Sequence, residues 1–233
     1  TVTIPEGFSM HQIFLRLEEE GVCSYNDLME AAATATFNYS FLEGGEEGSA
    51  YRLEGFLFPD TYEFYVGMQA SSAINKMLEN FYYRQTAEML QRAQDLGMSM
   101  RDVVNIASLI EKEAANDSER ALIASVIYNR LNNIGETYHK LQIDASLIYG
   151  LGDNYTGTLT SSDLNYNTPY NLSMYEGLPP TPIANPGLAS IQAALEPAQT
   201  NYYFYALGKD GVHHFFKTYA EHASFVSSSQ YAG

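Results

Sequence analysis

Apolar positions in the first half of the chain recur at helical spacing, and short polar breaks separate the recurrences. Ser9 stands ahead of Ile13, Phe14 and Leu17, which predicts a capped helix running toward Gly21. Before it, Thr1-Val2-Thr3-Ile4 alternates like a short strand and Pro5-Glu6-Gly7 turns the chain. Tyr25 to Leu42 predicts a further helical segment, followed by the acidic, glycine-rich loop Glu43-Gly44-Gly45-Glu46-Glu47-Gly48-Ser49. Leu53 to Phe64 is aromatic and punctuated by Gly55 and Pro59, so it reads as extended, and core filling is the favoured role for its rings. Ile74, Met77, Leu78, Phe81, Tyr82, Met89, Leu90 and Ala93 predict one long helix over Ser71 to Leu96, stopped by Gly97.

Ser99 and Asp102 have the spacing of a capping box and open the next helix. Asn116-Asp117-Ser118 breaks that helix and caps another, whose Leu122, Ile123, Val126, Ile127 and Leu131 face a core. The two predict a helical hairpin with residue 113 near its connection, at an edge of the domain. Beyond Gly135 the texture changes. Leu141-Gln142-Ile143-Asp144 alternates, Ser146 to Gly150 predicts a short helix that Asp144 would cap, and Gly152 to Tyr170 is polar and loop-like. Gly177 to Gly187 is rigid and proline-rich, and Pro186 suits the start of a helix through Ile191 and Leu195. Tyr202 to Leu207 and Val212 to Phe216, joined by Gly208-Lys209-Asp210-Gly211, predict a β-hairpin. Helices first and strands later imply an α+β fold: a helix-rich first half, then loops and a C-terminal hairpin.

The stretch Ala107-Ser108-Leu109-Ile110-Glu111-Lys112-Glu113 is an apolar helical run that ends on two carboxylates. Glu113 follows Ile110, Leu109 and Ile106 by three, four and seven residues and continues their face. Glu111 is turned away from it by roughly 200°, at about 100° per residue. A carboxylate closing an apolar stripe is partly desolvated, which raises its pKa and suits it to be a general acid. By local pattern alone the favoured reading is plainer, a solvated last turn carrying three charges.

Composition narrows the alternatives. The 233 residues are 45% hydrophobic and can bury a sizeable core in one large domain, or one plus a small appendage. With 12 Lys and Arg against 28 Asp and Glu the formal charge is −16, which repels phosphate backbones and excludes nucleic acid as a partner. Cys23 is the single cysteine, so an internal disulfide and a cysteine-based metal site are excluded. No phosphate-cradling glycine loop, His-Glu-x-x-His motif or Gly-x-Ser-x-Gly elbow occurs, and His213 and His214 point to opposite faces of a strand, which argues against a metal there. Acid/base chemistry by carboxylates remains, with Glu113 first and Asp144 second. Thr1 in place of an initiating methionine, with no signal sequence or apolar run of membrane length, predicts an excised piece of a longer protein.

Several ordered motifs resemble a known family. They are Glu54-Gly55-Phe56-Leu57-Phe58-Pro59-Asp60-Thr61-Tyr62, the 107–114 run, Asn129-Arg130-Leu131, Leu141-Gln142-Ile143-Asp144, Pro169-Tyr170-Asn171, Gly177-Leu178-Pro179-Pro180, Asn185-Pro186-Gly187, and His214-Phe215 with Glu221-His222. In this order they are similar to the YceG-like family of endolytic murein transglycosylases, over essentially the whole chain. The resemblance implies Glu113 as the single general acid/base. It would protonate the glycosidic oxygen between N-acetylmuramic acid and N-acetylglucosamine, then deprotonate the muramyl 6-hydroxyl as a 1,6-anhydro ring closes. A tethered nucleophile explains why no second carboxylate is required. Gln142, Asp144, Tyr170 and Asn171 are implied to bind sugar or position Glu113, with loop-holding by hydrogen bonds as the open alternative.

No metal or organic cofactor is expected. The partners implied are glycan strands of peptidoglycan and cell-wall synthesis proteins, with membrane contact only through an N-terminal helix outside this chain and the catalytic part on the extracytoplasmic side. Residues 1–50 are expected to adjoin the family's LysM-like region and 51–233 to form the catalytic domain. The chain departs from the family pattern at Ala145, Leu172-Ser173 and Thr181, of which Thr181 matters only if it needs a positive φ. Two rivals stand beside this reading: a water-using glycoside hydrolase with Asp144 as base, and a noncatalytic glycan-binding module.

Overall fold

A computed structural model describes residues 1–153 and 155–233. In chain order the elements are β1 (Val2–Thr3), α1 (Met10–Glu19), α2 (Tyr25–Thr34), β2 (Thr61–Tyr62), α3 (Ala70–Arg84), α4 (Ala87–Asp95), α5 (Met100–Glu113), α6 (Arg120–Asn132), α7 (Asp144–Leu151), α8 (Ser161–Leu164), α9 (Leu188–Leu195), β3 (Phe204–Leu207), β4 (His213–Phe216) and α10 (Tyr219–Val226). Single 3₁₀ turns occupy Ser40–Leu42, Ala50–Leu53 and Asp117–Glu119. The fold is α+β, as expected, with two small antiparallel sheets. The chain divides into two compact units, residues 1–111 with 181–195, and residues 112–180 with 196–233, so the division falls inside the last turn of α5.

The first unit is built on an aromatic core. Phe41 stacks on Phe56 at 5.2 Å, and both meet Phe81 edge-on at 4.7 and 5.2 Å. The rings of the Leu53 to Phe64 segment therefore fill a core, with Phe56, Leu57 and Phe58 buried. Val2 pairs with Tyr62 and Thr3 with Thr61, a partnership no local pattern announces. Through the core runs a polar network. The buried Glu54 carboxylate accepts from the Met10 amide at 2.9 Å and from Asn185 Nδ2 at 2.9 Å, and Asn185 Oδ1 accepts from the Leu57 amide at 2.9 Å. Gly55 has φ of +92°, and a Cβ there would stand 2.7 Å from Pro182 and Val104. The Glu54-Gly55 and Asn185-Pro186-Gly187 motifs thus hold this unit together.

Two helices differ from the expected ones. The segment from Tyr25 stops at Thr34 instead of reaching Leu42, because Arg52 donates to the carbonyls of Ala32 and Ala35 at 2.9 and 2.5 Å and satisfies the helix end. The long helix over Ser71 to Leu96 is two helices. Thr86 takes an extended conformation and its hydroxyl accepts from the Met89 amide at 3.2 Å, restarting the helix as α4. The break redirects α4, which Arg92 ties to α9 through the Leu195 carbonyl at 2.9 Å. Thr181 has no positive φ, so threonine is unstrained there.

Glu111, which helical phase turned away from Glu113, is not a solvated helix end. Its Oε2 accepts from the Gly187 amide at 3.0 Å and from Ser190 Oγ at 2.7 Å, capping α9. Replacing it with Ala is expected to lower unfolding stability by about 1–2 kcal/mol, the usual worth of a cap, while Glu111→Gln keeps an acceptor and most of that stability. Denaturant titration of the two variants checks this, and equal losses would mean that the negative charge, not the hydrogen bonds, is what counts.

The second unit places the site. α6 leads into 133–143, where Tyr138, His139 and Gln142 adopt left-handed backbone with φ of 52°, 59° and 53°. Non-glycine residues hold such angles only when the surroundings enforce them. Here the Gln142 amide donates to the Leu172 carbonyl at 3.0 Å, the Gly177 amide to the His139 carbonyl at 3.0 Å, and Arg130 to the Leu141 carbonyl. The polar stretch 152–170 contains α8, started by a Thr160–Asp163 capping box, where only loop was expected; Asn154 lies outside the described residues. The hairpin forms in the expected place, with Tyr205 opposite Phe215 and Leu207 opposite His213. After it comes α10, opened by a Thr218–Glu221 capping box and packed on the hairpin through Phe225.

Candidate active site

α5 delivers Glu113 from its last residue, and the hairpin faces it. A pocket of about 430 Å³ in the second unit is lined by Glu113, Arg130, Gln142, Asp144, Tyr205, His213 and His222, among others. Glu113 is half-buried, and Tyr205 donates its phenol to Glu113 Oε2 at 2.7 Å. Among the described residues no second hydrogen bond reaches this carboxyl, so Oε1 is the oxygen left for a proton or a ligand. Burial pushes the Glu113 carboxyl above its ordinary value of 4.5, and Asp144 pushes the same way; the hydrogen bond from Tyr205 and the nearby His213 and Arg130 side chains oppose them without winning. The Tyr205 phenol, half-buried and bonded to the Glu113 carboxyl, is held well above 10, chiefly by desolvation, and stays a donor at any physiological pH.

Arg130 sits behind these groups on α6 and is 6% exposed. Its Nε donates to the Tyr203 carbonyl at 2.6 Å, a second nitrogen to the Leu141 carbonyl, and its guanidinium lies 5.3 Å over the Phe204 ring. One side chain therefore pins both the entry to β3, which carries Tyr205, and the segment that carries Gln142 and Asp144. Burial lowers the Arg130 pKa, and the neighbouring Tyr205 and Glu113 offset part of that loss.

Glu119, in the 3₁₀ turn after α5, makes a second anchor. Its carboxylate accepts from the Ala115 amide at 3.1 Å, Asn116 Nδ2 at 3.0 Å, the His213 amide at 2.8 Å and His213 Nδ1 at 2.8 Å. Burial alone would raise its pKa, yet the bonds from His213 and Ala115 outweigh that and hold it below 4.5. The His213 ring in turn meets the Tyr205 ring edge-on at 5.3 Å. His214 goes to the other face of the strand, onto Asp210 at 2.9 Å and the Phe225 ring, so the two histidines do part as expected.

Of the five residues singled out from the sequence, the pocket collects Glu113, Gln142 and Asp144. Asp144 is the first residue of α7 and makes no cap, because Ile143 is the N-cap; its exposed carboxylate is thereby left to the pocket, and burial still raises its pKa. Tyr170 and Asn171 serve the segment beside the pocket. Tyr170 packs on Tyr149 at 5.1 Å and its carbonyl accepts from Ser146 Oγ at 2.7 Å, an approach that a Cβ on Gly150 would block at 2.6 Å. Asn171 is buried and donates to the Leu164 and Tyr166 carbonyls at 3.0 Å each. The sequence reading gave no role to Arg130, Glu119, Tyr205, His213 or His222. Only Arg130 and His222 fall in motifs quoted above, and Tyr205 is one of 19 tyrosines with nothing local to mark it.

A larger depression of about 780 Å³ runs along β4 and α10, but its one carboxylate, Glu221, is committed to the amides of Lys217 and Thr218. Among the described residues no group of three or more metal-ligating side chains converges. The Glu113 pocket holds a carboxyl raised by burial, an arrangement suited to acid/base chemistry.

The chain belongs to the YceG-like family, whose sequence model matches residues 1–228. It is 32% identical over 218 residues to the endolytic murein transglycosylase of Bacillus subtilis (strain 168), covering 92% of this chain and 57% of that protein. It is 30% identical over 226 residues to the protein of the same name from Streptococcus pneumoniae serotype 2 (strain D39 / NCTC 7466), covering 88% of this chain and 40% of that one. The chain thus spans about half the length of these relatives. Among solved structures, the yceG-like protein lmo1499 from Listeria monocytogenes superposes with a TM-score of 0.79 at 30% identity, covering 96% of this chain and 75% of that one.

Proposed function

We propose that the protein cleaves peptidoglycan glycan strands internally, as an endolytic murein transglycosylase, with Glu113 as the single general acid/base. The observation that carries this reading is the Glu113 carboxyl, raised by burial, tied at Oε2 by Tyr205 and open at Oε1 in a pocket. A carboxyl whose pKa is raised keeps its proton to higher pH and can donate it to a leaving oxygen. Glu113 gives its proton to the glycosidic oxygen between N-acetylmuramic acid and N-acetylglucosamine, and the C1–O bond breaks. The muramyl 6-hydroxyl then bonds to C1, its proton passes to the vacated Glu113 carboxylate, and the enzyme is reset with a 1,6-anhydro end as product. The nucleophile is tethered, so its effective concentration is high and no second carboxylate is needed.

Gln142 and Asp144 line the pocket and are assigned to sugar binding; Tyr170 is tied to α7 through Ser146, and Asn171 holds the 164–166 segment by hydrogen bonds. All of these residues fall within 51–233. The names of the relatives support the substrate, and the family resemblance supports work at the outer face of the cytoplasmic membrane through an N-terminal helix, alongside cell-wall synthesis proteins. Among the described residues no helix is long and apolar enough to cross a membrane.

Asp144 in the same pocket keeps a water-using hydrolase as a second reading, with Asp144 activating water. Mass spectrometry of the products from purified glycan strands separates the two. The transglycosylase gives 1,6-anhydromuramyl ends, and Asp144→Asn still forms them, with activity reduced by roughly tenfold or less, as expected for one lost polar contact of about 1 kcal/mol. Free reducing ends from the wild type, with Asp144→Asn inactive, would overturn the proposal in favour of hydrolysis.

A further inference from the structure

His213 is another proton-handling side chain of the pocket, and the proposed cycle above leaves it without a task. Its Nδ1 lies 2.8 Å from Glu119 Oε2 and its backbone amide 2.8 Å from Glu119 Oε1, so one carboxylate grips both ring and main chain. A carboxylate can only accept, so Nδ1 carries a proton, and in that tautomer of the imidazole Nε2 is an acceptor. Nε2 makes no hydrogen bond among the described residues, and it is absent from the buried polar atoms that lack partners. The ring is fixed on its other side by the edge-on contact with Tyr205, whose phenol holds Glu113. His213 and Tyr205 are diagonal neighbours on one face of the hairpin, since Tyr205 pairs with Phe215 and His213 with Leu207. Charged and titratable groups around the ring include Glu119, Glu113 and Tyr205, from three different elements, and Arg130, Asp144 and His222 line the same pocket. An immobilised acceptor beside the acid is what a reaction needs when it must choose between an internal hydroxyl and water.

We infer that His213, set by Glu119, orients the attacking hydroxyl of the substrate: Nε2 accepts its hydrogen bond and aims the oxygen at the anomeric carbon. This rests on the reading of Glu113 as acid/base. The bond changes are those given above: C1 loses the glycosidic oxygen, which keeps the Glu113 proton, and gains the hydroxyl oxygen, whose proton goes to the Glu113 carboxylate. His213 takes no net proton. Without its acceptor the tethered hydroxyl loses its advantage, and a water molecule deprotonated by the same carboxylate competes for C1, leaving a reducing end.

Two substitutions separate this role from scaffolding. His213→Asn places an amide where Nδ1 was, keeping a donor for Glu119 and deleting Nε2, whereas His213→Gln reaches the Nε2 position and keeps an acceptor there. The readout is the ratio of reducing to 1,6-anhydro ends per bond cleaved, which a smaller folded fraction does not change. The expected result is a ratio raised at least about tenfold in His213→Asn, as orientation of the internal nucleophile is lost, with kcat lowered more than KM is raised, and a ratio moved back toward wild type in His213→Gln. An unchanged ratio in His213→Asn overturns the inference, as does a better rescue by Asn than by Gln, which would mark a purely structural histidine. Glu113→Gln run in parallel tells the two levels apart. If that variant still cleaves, the underlying reading fails; if it is inactive while His213→Asn keeps the wild-type ratio, only the role of His213 fails.

Discussion

Glu113→Gln is expected to abolish strand cleavage, lowering kcat by about 10³-fold or more, because an amide offers neither the proton for the leaving oxygen nor the base for the hydroxyl. The same variant is expected to be the more stable protein at neutral pH. The Glu113 carboxyl is raised in the fold, chiefly by burial, above its ordinary 4.5. Between about pH 4.5 and the raised value the folded state therefore binds more protons than the unfolded chain. Stability from this group is full below its unfolded pKa and is lost as pH rises through the folded pKa. Gln has no such term, so the stability difference should grow in favour of the variant as pH climbs through that window and then level off. Urea titrations of both proteins across pH 4 to 8 read this directly. A wild type that matches the variant at every pH would mean that the carboxyl is not desolvated, and the acid role would go with it. Wild-type activity should fall on the alkaline side as Glu113 loses its proton.

Arg130→Met carries the largest expected structural effect, a loss of about 3–5 kcal/mol, as for one partner removed from a buried charge-assisted network. The Tyr203 and Leu141 carbonyls would be left in a buried setting without their donor. In a protein of this size that corresponds to a drop in Tm of roughly 10 °C. Arg130→Lys keeps the charge but not the fork that reaches both carbonyls, so it should recover only a minority of the loss. Calorimetry of the two variants decides the matter. Melting of Arg130→Met within a degree or two of wild type would show that β3 and the 141–144 segment hold their places without the guanidinium.

Much of the architecture was legible because it is local. Capping residues at Ser9 and Ser99, the apolar spacing of α1, α5 and α6, and the glycine-bounded hairpin are written within ten or fifteen residues of chain. What misled was also local. The apolar period runs straight through Thr86, and only the start of a new direction for α4 shows that its hydroxyl is a cap. Likewise Arg52 ends α2 from seventeen residues away, beyond any propensity argument.

The candidate catalyst was legible for a different reason. Helical phase puts Glu113 on the face of Leu109 and Ile110, and Glu111 on another, and the structure gives the two carboxylates separate tasks: Glu113 takes the pocket and Glu111 caps α9. The sequence by itself determined the fold class, the hairpin and which of two neighbouring carboxylates ends an apolar stripe, since each follows from the period of side chains along one element. Only the tertiary structure decided that Tyr205 holds Glu113 across 92 positions, that Glu119 grips His213 across 94, and that Arg130 secures both walls. The physical reason is that a pKa and a hydrogen bond depend on what lies within a few ångströms in space, and neighbours brought together from distant parts of a chain leave no periodic trace in it.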